Sequence, residues 1–198
     1  MATGIILAGG ESRRFASNKA LAPWRDGQKL VERVCSIMAS LFPRNLIMVK
    51  DPMEFDFLNR PGVYVYQDQF PEAHSLGGIY SGLRCAHTAK VFVCGCDMPH
   101  LQPRLVRAMW GEMGKDYDAV VPVWQSKIQP LCGFYSKSCL GVLQAMVAER
   151  RLKVQELFGA VRTRFFQPEE IRASDPRGLS FLDVDTPEDY EKARRISG

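Results

Sequence analysis

The sequence predicts an α/β fold in which helices cover both faces of a mostly parallel sheet. Apolar, strand-like runs alternate with amphipathic helical segments along the whole chain. The run KVFVCGCDMP is almost continuously apolar, which is typical of a central strand that is buried on both faces. The 198 residues are 46% hydrophobic and 24% charged, and this length and composition fit one globular domain over residues 1–198.

In the first half of the chain, the spacing of apolar residues separates strands from helices. Segment 28–42 places apolar side chains at helical spacing, with Arg33 and Ser36 on the opposite side, and Pro43 ends the helix. In chain order we expect a strand in the run that begins at Ile5, this helix, strands at 45–49 and 62–66, a glycine-rich helix at 76–88, and a strand within 90–99.

The second half continues the alternation and ends in a helix with a clear start signal. Thr186 is the expected N-cap, Pro187 takes the first helical position, and Asp189 completes a capping-box spacing. Before this helix we expect a helix from 103 to about 113, strands near 119–123 and 130–135, helices at 137–148 and 153–158, and a strand at 161–166.

Composition and charge argue against several classes of protein. The net charge of +4 is modest and suits an anionic small molecule, whereas a basic patch with interleaved aromatic residues, as expected for nucleic-acid binding, is missing. No apolar stretch approaches the length of a membrane span. The six cysteines show no CxxC spacing and no signal-peptide pattern precedes them, so we expect reduced, buried thiols in a cytoplasmic protein.

The stretch IILAGGESRRFASNKAL has the features of a phosphate-binding loop. Gly9 and Gly10 follow a strand, where a missing Cβ lets backbone N–H groups approach an anion and permits positive φ. The pattern is neither GxGxxG nor Walker A. It is a longer loop in which Arg13, Arg14 and Lys19 can fold over a polyphosphate. The alternative is a plain strand-to-helix turn with solvated charges.

Three aspartates are candidate metal ligands. Asp97 directly follows the apolar strand, where an α/β enzyme presents side chains to its ligand and where a carboxylate suits Mg²⁺. The alternative is a turn or capping aspartate before Pro99. Asp183 and Asp185 are two residues apart, so in an extended segment they face one side and can converge on a cation. Alternatively, Asp185 only precedes the last helix, near its positive end.

Other polar residues are weaker candidates for binding. Asp68 ends a strand and can accept hydrogen bonds from a nucleoside, although turn aspartates are common. Arg150 and Arg151 can bind an anionic group, although a basic helical run is more often a solvated face. No arrangement of histidine, serine and cysteine indicates a nucleophilic triad.

Taken together, these residues resemble the molybdenum cofactor guanylyltransferases, a family of nucleotidyltransferases of the Rossmann-like GT-A type. The resemblance covers nearly the whole chain. The first family motif, LAGGxSxRMGxDKAL, aligns with residues 7–21. The later motifs follow in order: an aspartate at Asp68, a version of GPLAG at 74–78, CDMP at 96–99, QPL before Tyr135, an arginine pair at 150–151, and TPED near the end.

The resemblance implies transfer of GMP from GTP to the terminal phosphate of molybdopterin, which releases pyrophosphate and forms a guanine dinucleotide cofactor. It implies Mg²⁺ at Asp97 and transient contacts with molybdenum-insertion proteins or molybdoenzyme chaperones. The expected nucleotide site comprises Leu7, Ala8, Gly9, Gly10, Arg13, Lys19, Asp68 and Asp97, with Arg14, Lys19 and Asp97 as catalytic residues. From charge, Arg150 and Arg151 are candidates for the pterin phosphate.

Two alternative functions remain open, and several positions depart from the family motifs. The related cytidylyltransferases carry LAAG, whereas this chain has Gly9, which leaves room for a purine. A nucleotide-binding regulatory module without turnover is the other alternative. Asn18 stands where the family has Asp, and Asp183 and Asp185 stand in its NxNTPED motif. The added negative charge of Asp185 is expected to strengthen a metal site.

Overall fold

A single eight-stranded sheet is the frame of this computed structural model, which describes residues 2–10 and 18–196. The strand order is β3-β2-β1-β4-β7-β5-β6, and β8 pairs with β5. The strands are β1 Thr3–Leu7, β2 Asn45–Val49, β3 Val63–Gln67, β4 Lys90–Gly95, β5 Ala119–Trp124, β6 Lys127–Ile128, β7 Cys132–Ser136 and β8 Thr163–Phe166.

Six α-helices pack around this sheet in the described part of the chain. They are α1 Leu30–Ala39, α2 His74–Cys85, α3 Pro103–Glu112, α4 Leu140–Ala148, α5 Pro168–Arg172 and α6 Pro187–Arg195. Short 3-10 helices lie at Lys19–Leu21, Pro52–Leu58, Pro71–Ala73, Lys137–Cys139, Val154–Gly159 and Leu179–Phe181.

The sheet is mostly parallel, as the sequence predicts. Strand β1 is parallel to both β2 and β4, β2 is parallel to β3, and β5 is parallel to β8. Strand β7 is antiparallel to both β4 and β5, and the short β6 is antiparallel to β5. The carboxyl ends of β1 to β4 therefore meet at one edge of the sheet, where α/β proteins bind ligands.

Both faces of the sheet are buried because successive strand residues point to opposite sides. Ile6 of β1 belongs to the apolar cluster that contains α1 and α3, whereas its neighbour Ile5 belongs to the cluster that contains α2 and α4. Phe92 and Val93 of β4 divide between the two clusters in the same way. The prediction of helices on both faces is confirmed.

The expected helix ends are partly right. The capping box is present: the Asp189 amide donates to Thr186 Oγ1 at 3.1 Å, and the Thr186 amide donates to Asp189 Oδ2 at 3.1 Å. The helix expected at 76–88 instead begins at His74 and ends at Cys85, and the one expected at 153–158 is a 3-10 helix. Neither α5 nor β6 is predicted from the sequence.

All six cysteines are free thiols, and five are buried. Cys85 is only half-buried, which corrects the expectation that every thiol is enclosed, because it lies in the last turn of α2. Within residues 2–10 and 18–196, no helix combines the length and the hydropathy needed to cross a membrane.

Candidate active site

A pocket of about 230 Å³ opens at the carboxyl edge of the sheet. Residues from separate parts of the sequence line it, because β1, β3 and β4 end there and the start of α2 approaches the same edge. Among the predicted site residues, those that line the pocket are Leu7, Ala8, Gly9, Gly10, Lys19, Asp68, Asp97 and Asp185. The predicted residues Arg13 and Arg14 lie outside the described residues.

Lys19 and two carboxylates form the charged centre of this pocket. The Lys19 Nζ donates to Asp97 Oδ2 at 2.9 Å and to Asp185 Oδ1 at 3.0 Å. Asp97 follows β4, and the backbone amide of Val184 donates to the Asp97 carbonyl at 3.0 Å. This backbone bond fixes the 183–185 segment beside the end of β4.

Opposing effects act on the pKa of Lys19. Burial lowers it, but the attraction of Asp97 and the hydrogen bonds to Asp97 and Asp185 outweigh burial, so the pKa is raised above the usual lysine value. Lys19 therefore carries a full positive charge at neutral pH. A partly buried ammonium group is a strong attractor for a phosphate that enters the pocket.

Asp183 has a different environment from Asp185. Burial, followed by repulsion from Asp97 and Asp185, raises the pKa of Asp183 to about 7. The same three aspartates line an adjoining pocket of about 260 Å³, together with Gln129, Pro130 and Leu131 of the QPL motif. Negative charge is therefore concentrated on the side of Asp97 that faces this second pocket.

The donor set around Lys19 fits a divalent cation. Carboxylate oxygens are the ligands that Mg²⁺ takes, and one or two of them suffice when a substrate supplies phosphate oxygens. Asp97 and Asp185 already converge on one cation, the Lys19 ammonium group. Among the residues that the structure describes, no group of three or more histidine, cysteine, aspartate or glutamate side chains forms a metal site by itself.

Asp68 has the turn geometry that the sequence left as one alternative, and it also faces the pocket. Its Oδ1 accepts hydrogen bonds from Ser81 Oγ at 2.7 Å and from the Phe70 amide at 3.0 Å, which is the turn geometry of an aspartate. The side chain is buried and lines the pocket as well. Asp68 therefore links the end of β3 to α2 at the side of the pocket away from Asp97.

The glycines of the loop matter for space rather than for backbone strain. Neither Gly9 nor Gly10 has a positive φ. A Cβ on Gly9 would lie 3.6 Å from Lys50, which is an ordinary contact, and a Cβ on Gly10 would meet nothing within 4 Å. The described fold tolerates a side chain at both positions, and the missing Cβ atoms leave the backbone here open to the close approach of a ligand.

Arg150 and Arg151 do not line either pocket beside Asp97. Both follow α4, and Arg150 is exposed with a φ of 57°. The Arg151 guanidinium pairs with Glu149 at 2.8 Å and with Glu156 at 3.6 Å. The phosphate-binding role of this pair therefore remains a prediction that the lining of the pocket does not support.

The structure also adds residues that the sequence analysis did not assign to the site. Asn18 Oδ1 accepts from the Ala20 amide at 3.2 Å, and its Nδ2 donates to Glu54 at 3.1 Å. This bond, which an Asp at position 18 could not donate, ties the segment before Lys19 to the 3-10 helix after β2. His74 also lines the pocket, and its only sequence signal is its position in the GPLAG-like motif.

Comparisons with known proteins agree with this architecture. Residues 4–163 match the family described as the MobA-like NTP transferase domain. The molybdenum cofactor guanylyltransferase of Desulfosudis oleivorans is 34% identical over 191 residues, covering 96% of this chain and 93% of its own. A probable molybdenum cofactor guanylyltransferase of Carboxydothermus hydrogenoformans is 35% identical, with coverage of 98% and 95%.

A solved structure has the same fold over nearly the whole chain. Molybdopterin-guanine dinucleotide biosynthesis protein A from Archaeoglobus fulgidus superposes with a TM-score of 0.84 at 23% identity, covering 97% of this chain and 96% of that one. The solved structure shows the shared fold, and the matched domain and the curated relatives identify the family. The chain therefore belongs to the MobA-like NTP transferases, as a nucleotidyltransferase of the molybdenum cofactor guanylyltransferase family.

Proposed function

We propose that the pocket beside Lys19 binds GTP and that the chain transfers GMP from it to molybdopterin. The observation that carries this proposal is the contact of Lys19 with Asp97 and Asp185 at the strand edge, next to the Leu7–Gly10 loop. A phosphate acceptor is already ionised at neutral pH, so the reaction needs no general base. It needs in-line positioning and neutralisation of the charge that develops on the phosphates.

Each part of the pocket has a role in this reaction. The backbone of Leu7 to Gly10 approaches the nucleotide, because no side chain of Gly9 or Gly10 intervenes. Lys19 places its positive charge against the triphosphate. Asp68 lies at the opposite end of the pocket, towards β3, and accepts a hydrogen bond from the nucleoside through Oδ2, because the turn and Ser81 occupy Oδ1.

Asp97 and Asp185 are the residues that would hold Mg²⁺. Their convergence on the Lys19 ammonium group supports this assignment, since the same oxygen atoms can reach one cation. Bound Mg²⁺ supplies positive charge to the phosphates of the substrate and of the leaving pyrophosphate. The carboxylate of Asp185, in place of an amide, strengthens the attraction for the ion.

The acceptor needs space on the far side of the reacting phosphate. In-line transfer places it opposite the leaving pyrophosphate. The adjoining pocket beside Gln129, Pro130 and Leu131 shares Asp97 with the nucleotide pocket and offers this space. The carboxylates of Asp97 and Asp185 there, joined by Asp183 above about pH 7, make a cation necessary before an anionic phosphate can approach.

Further features belong to the same proposal. Residues 1–198 act as one domain, and the six free thiols support a reducing compartment such as the cytoplasm. The product is passed on through transient contacts with molybdenum-insertion proteins or molybdoenzyme chaperones. Guanine is the base, in keeping with the names of the relatives and with glycine rather than alanine at position 9. The cytidylyl alternative is not favoured.

Pyrophosphate release tests the proposed reaction. We expect the purified chain to release pyrophosphate from GTP only when Mg²⁺ and molybdopterin are both present, and to convert the pterin to its guanine dinucleotide, detected by mass spectrometry. CTP in place of GTP should give a much lower rate. Binding of GTP without any product would instead support a regulatory module, and preference for CTP would support the cytidylyl alternative.

A further inference from the structure

His74, the first residue of α2, has a backbone conformation that is unusual for histidine. Its φ is 51° and its ψ is −132°, which lies in a region that glycine enters freely and that strains residues with a Cβ. Five non-glycine residues of the described chain have positive φ, and His74 is the one among them that lines the nucleotide pocket. The aligned GPLAG motif has glycine at this position.

The fold explains the backbone conformation of residue 74, but it gives no reason for a histidine side chain at this position. The turn before α2 is fixed by bonds from the Ala73 amide to the Phe70 carbonyl and from the His74 amide to the Pro71 carbonyl. Gly77 allows α2 to approach this turn, since a Cβ there would lie 2.1 Å from the Phe70 oxygen. These contacts impose the conformation on residue 74, and glycine would satisfy all of them with less strain.

The imidazole of His74 does not stabilise the described fold through polar contacts. It is exposed, and it forms no hydrogen bond or ion pair with residues 2–10 or 18–196. Strain of this kind persists at functional sites, where a side chain is needed in a fixed place. Within residues 2–10 and 18–196, no polar contact of the ring compensates for the strain in His74, which leaves the ring available to a ligand in the pocket.

The position of His74 identifies the part of the ligand that it meets. Lys19, Asp97 and Asp185 mark the phosphate end of the pocket. His74 enters from the start of α2, which Asp68 joins to the end of β3 through Ser81, so it lies towards the nucleoside end. An aromatic ring beside a base gains energy by stacking on its flat face.

We propose that the imidazole ring of His74 stacks on the guanine base of bound GTP and thereby contributes to nucleotide affinity. The proposal rests on the assignment of the pocket to GTP. It makes His74 a binding residue of this chain at a position where glycine would leave the base uncovered. The ring is held in its binding position before the nucleotide arrives, and the backbone strain in the free protein is the cost of this preorganisation.

A set of variants separates the effect of the imidazole ring on GTP affinity from the effect of the backbone strain on stability. His74→Gly removes both the ring and the strain, whereas His74→Ala removes the ring and keeps the strain. We expect both variants to bind GTP about tenfold more weakly by calorimetry. Only His74→Gly should raise the melting temperature, by about 2–6 °C. His74→Phe should retain most of the affinity for GTP because it keeps an aromatic face.

The affinity for inorganic tripolyphosphate, which has no base, distinguishes a failure of the stacking proposal from a wrong assignment of the pocket to GTP. None of the His74 variants should change the affinity for tripolyphosphate, whereas Lys19→Ala should weaken both tripolyphosphate and GTP if the pocket is assigned correctly. His87→Ala is the matched control, since His87 is an exposed histidine beyond the other end of α2. Normal GTP affinity in His74→Gly or His74→Ala, or a loss in His74→Phe as large as in His74→Gly, would overturn the stacking contact.

Discussion

Lys19 is the residue on which the charge balance of the pocket depends. It neutralises part of the repulsion among the aspartates around it, since Asp97 and Asp185 both accept its hydrogen bonds. A triphosphate that binds Lys19 competes with these carboxylates. The free carboxylates then become available for a cation at the same place, so nucleotide and metal binding are expected to reinforce each other.

Asp183 gives the metal-free protein a specific pH dependence. Its pKa is about 7 in the folded chain, against an ordinary value of 3.8, so between these values the folded state binds the proton that the unfolded state has lost. Asp183 therefore destabilises the fold progressively as the pH rises from about 4 to 7. Above pH 7 this destabilisation is complete.

Substitution of Asp183 by asparagine removes this effect. In EDTA, we expect the stability advantage of Asp183→Asn over the parent to grow by about 2 kcal/mol between pH 5.5 and pH 8. Urea denaturation at the two pH values measures it. Asp116→Asn, at a fully exposed aspartate, should show no such growth. An equal difference between Asp183→Asn and the parent at both pH values would contradict the raised pKa.

At the residue scale, the sequence identifies the groups but not all of their contacts. The glycines, Lys19, Asp68 and Asp97 could be chosen because each follows a strand or matches a motif. The Asn18–Glu54 bond joins residues 36 positions apart, and local patterns carry no information about it. The strain at His74 is equally invisible, because the turn at Phe70 and Pro71 imposes it.

At the scale of elements, the attachment of α6 determines where Asp185 lies. Trp24 packs edge-on against His100, with ring centroids 5.9 Å apart, and against Tyr190 at 5.8 Å. Val184 is fully buried in the same small cluster. His100 Nε2 also lies 2.8 Å from the carbonyl oxygen of Ala193 in α6. The segment after Lys19 thus holds the helix that follows Asp185.

Removal of the Trp24 ring should therefore affect both stability and metal binding. We expect Trp24→Ala to lower the free energy of unfolding by about 3–5 kcal/mol, because a large buried ring is lost. In the folded fraction, the affinity for Mg²⁺ in the presence of GTP should also fall. Trp24→Phe, which keeps an apolar ring, should lose less than half as much stability. Equal losses for the two variants would show that the ring does not pack as described.

The order of the elements follows from local periodicity, whereas their arrangement in the sheet does not. The buried run at Cys132–Ser136 is recognisable as a strand, but its antiparallel position between β4 and β5 depends on pairing with residues distant in sequence. Helix α5 is only five residues long, and β6 only two, so neither contains enough residues for a periodic pattern.

At the scale of the whole molecule, the site results from the meeting of strand ends. The loop after β1, the turn after β3 and Asp97 after β4 reach one pocket because β2 and β4 flank β1, β3 lies beyond β2, and all four strands are parallel. The sequence allows this pocket to be predicted, since strand ends at one edge must lie together. The return of residues 183–185 to the same edge could be expected only from the resemblance to the NxNTPED motif, because it depends on packing by Trp24 and α6.

Lys19 and Asp97 are expected to bind the same nucleotide, the first through its phosphates and the second through Mg²⁺. Calorimetric titration of GTP with and without Mg²⁺ measures both contributions. Lys19→Ala should weaken GTP about 10- to 100-fold in both conditions. Asp97→Asn should weaken it only with Mg²⁺, since without the ion the lost negative charge favours the nucleotide.

Lys115→Ala and Asp116→Asn are matched controls, because both side chains are exposed. In EDTA, the two site variants should respond in opposite ways: GTP binding should be weaker for Lys19→Ala, and unchanged or tighter for Asp97→Asn. Parental affinity for GTP in both site variants, with and without Mg²⁺, would contradict this expectation.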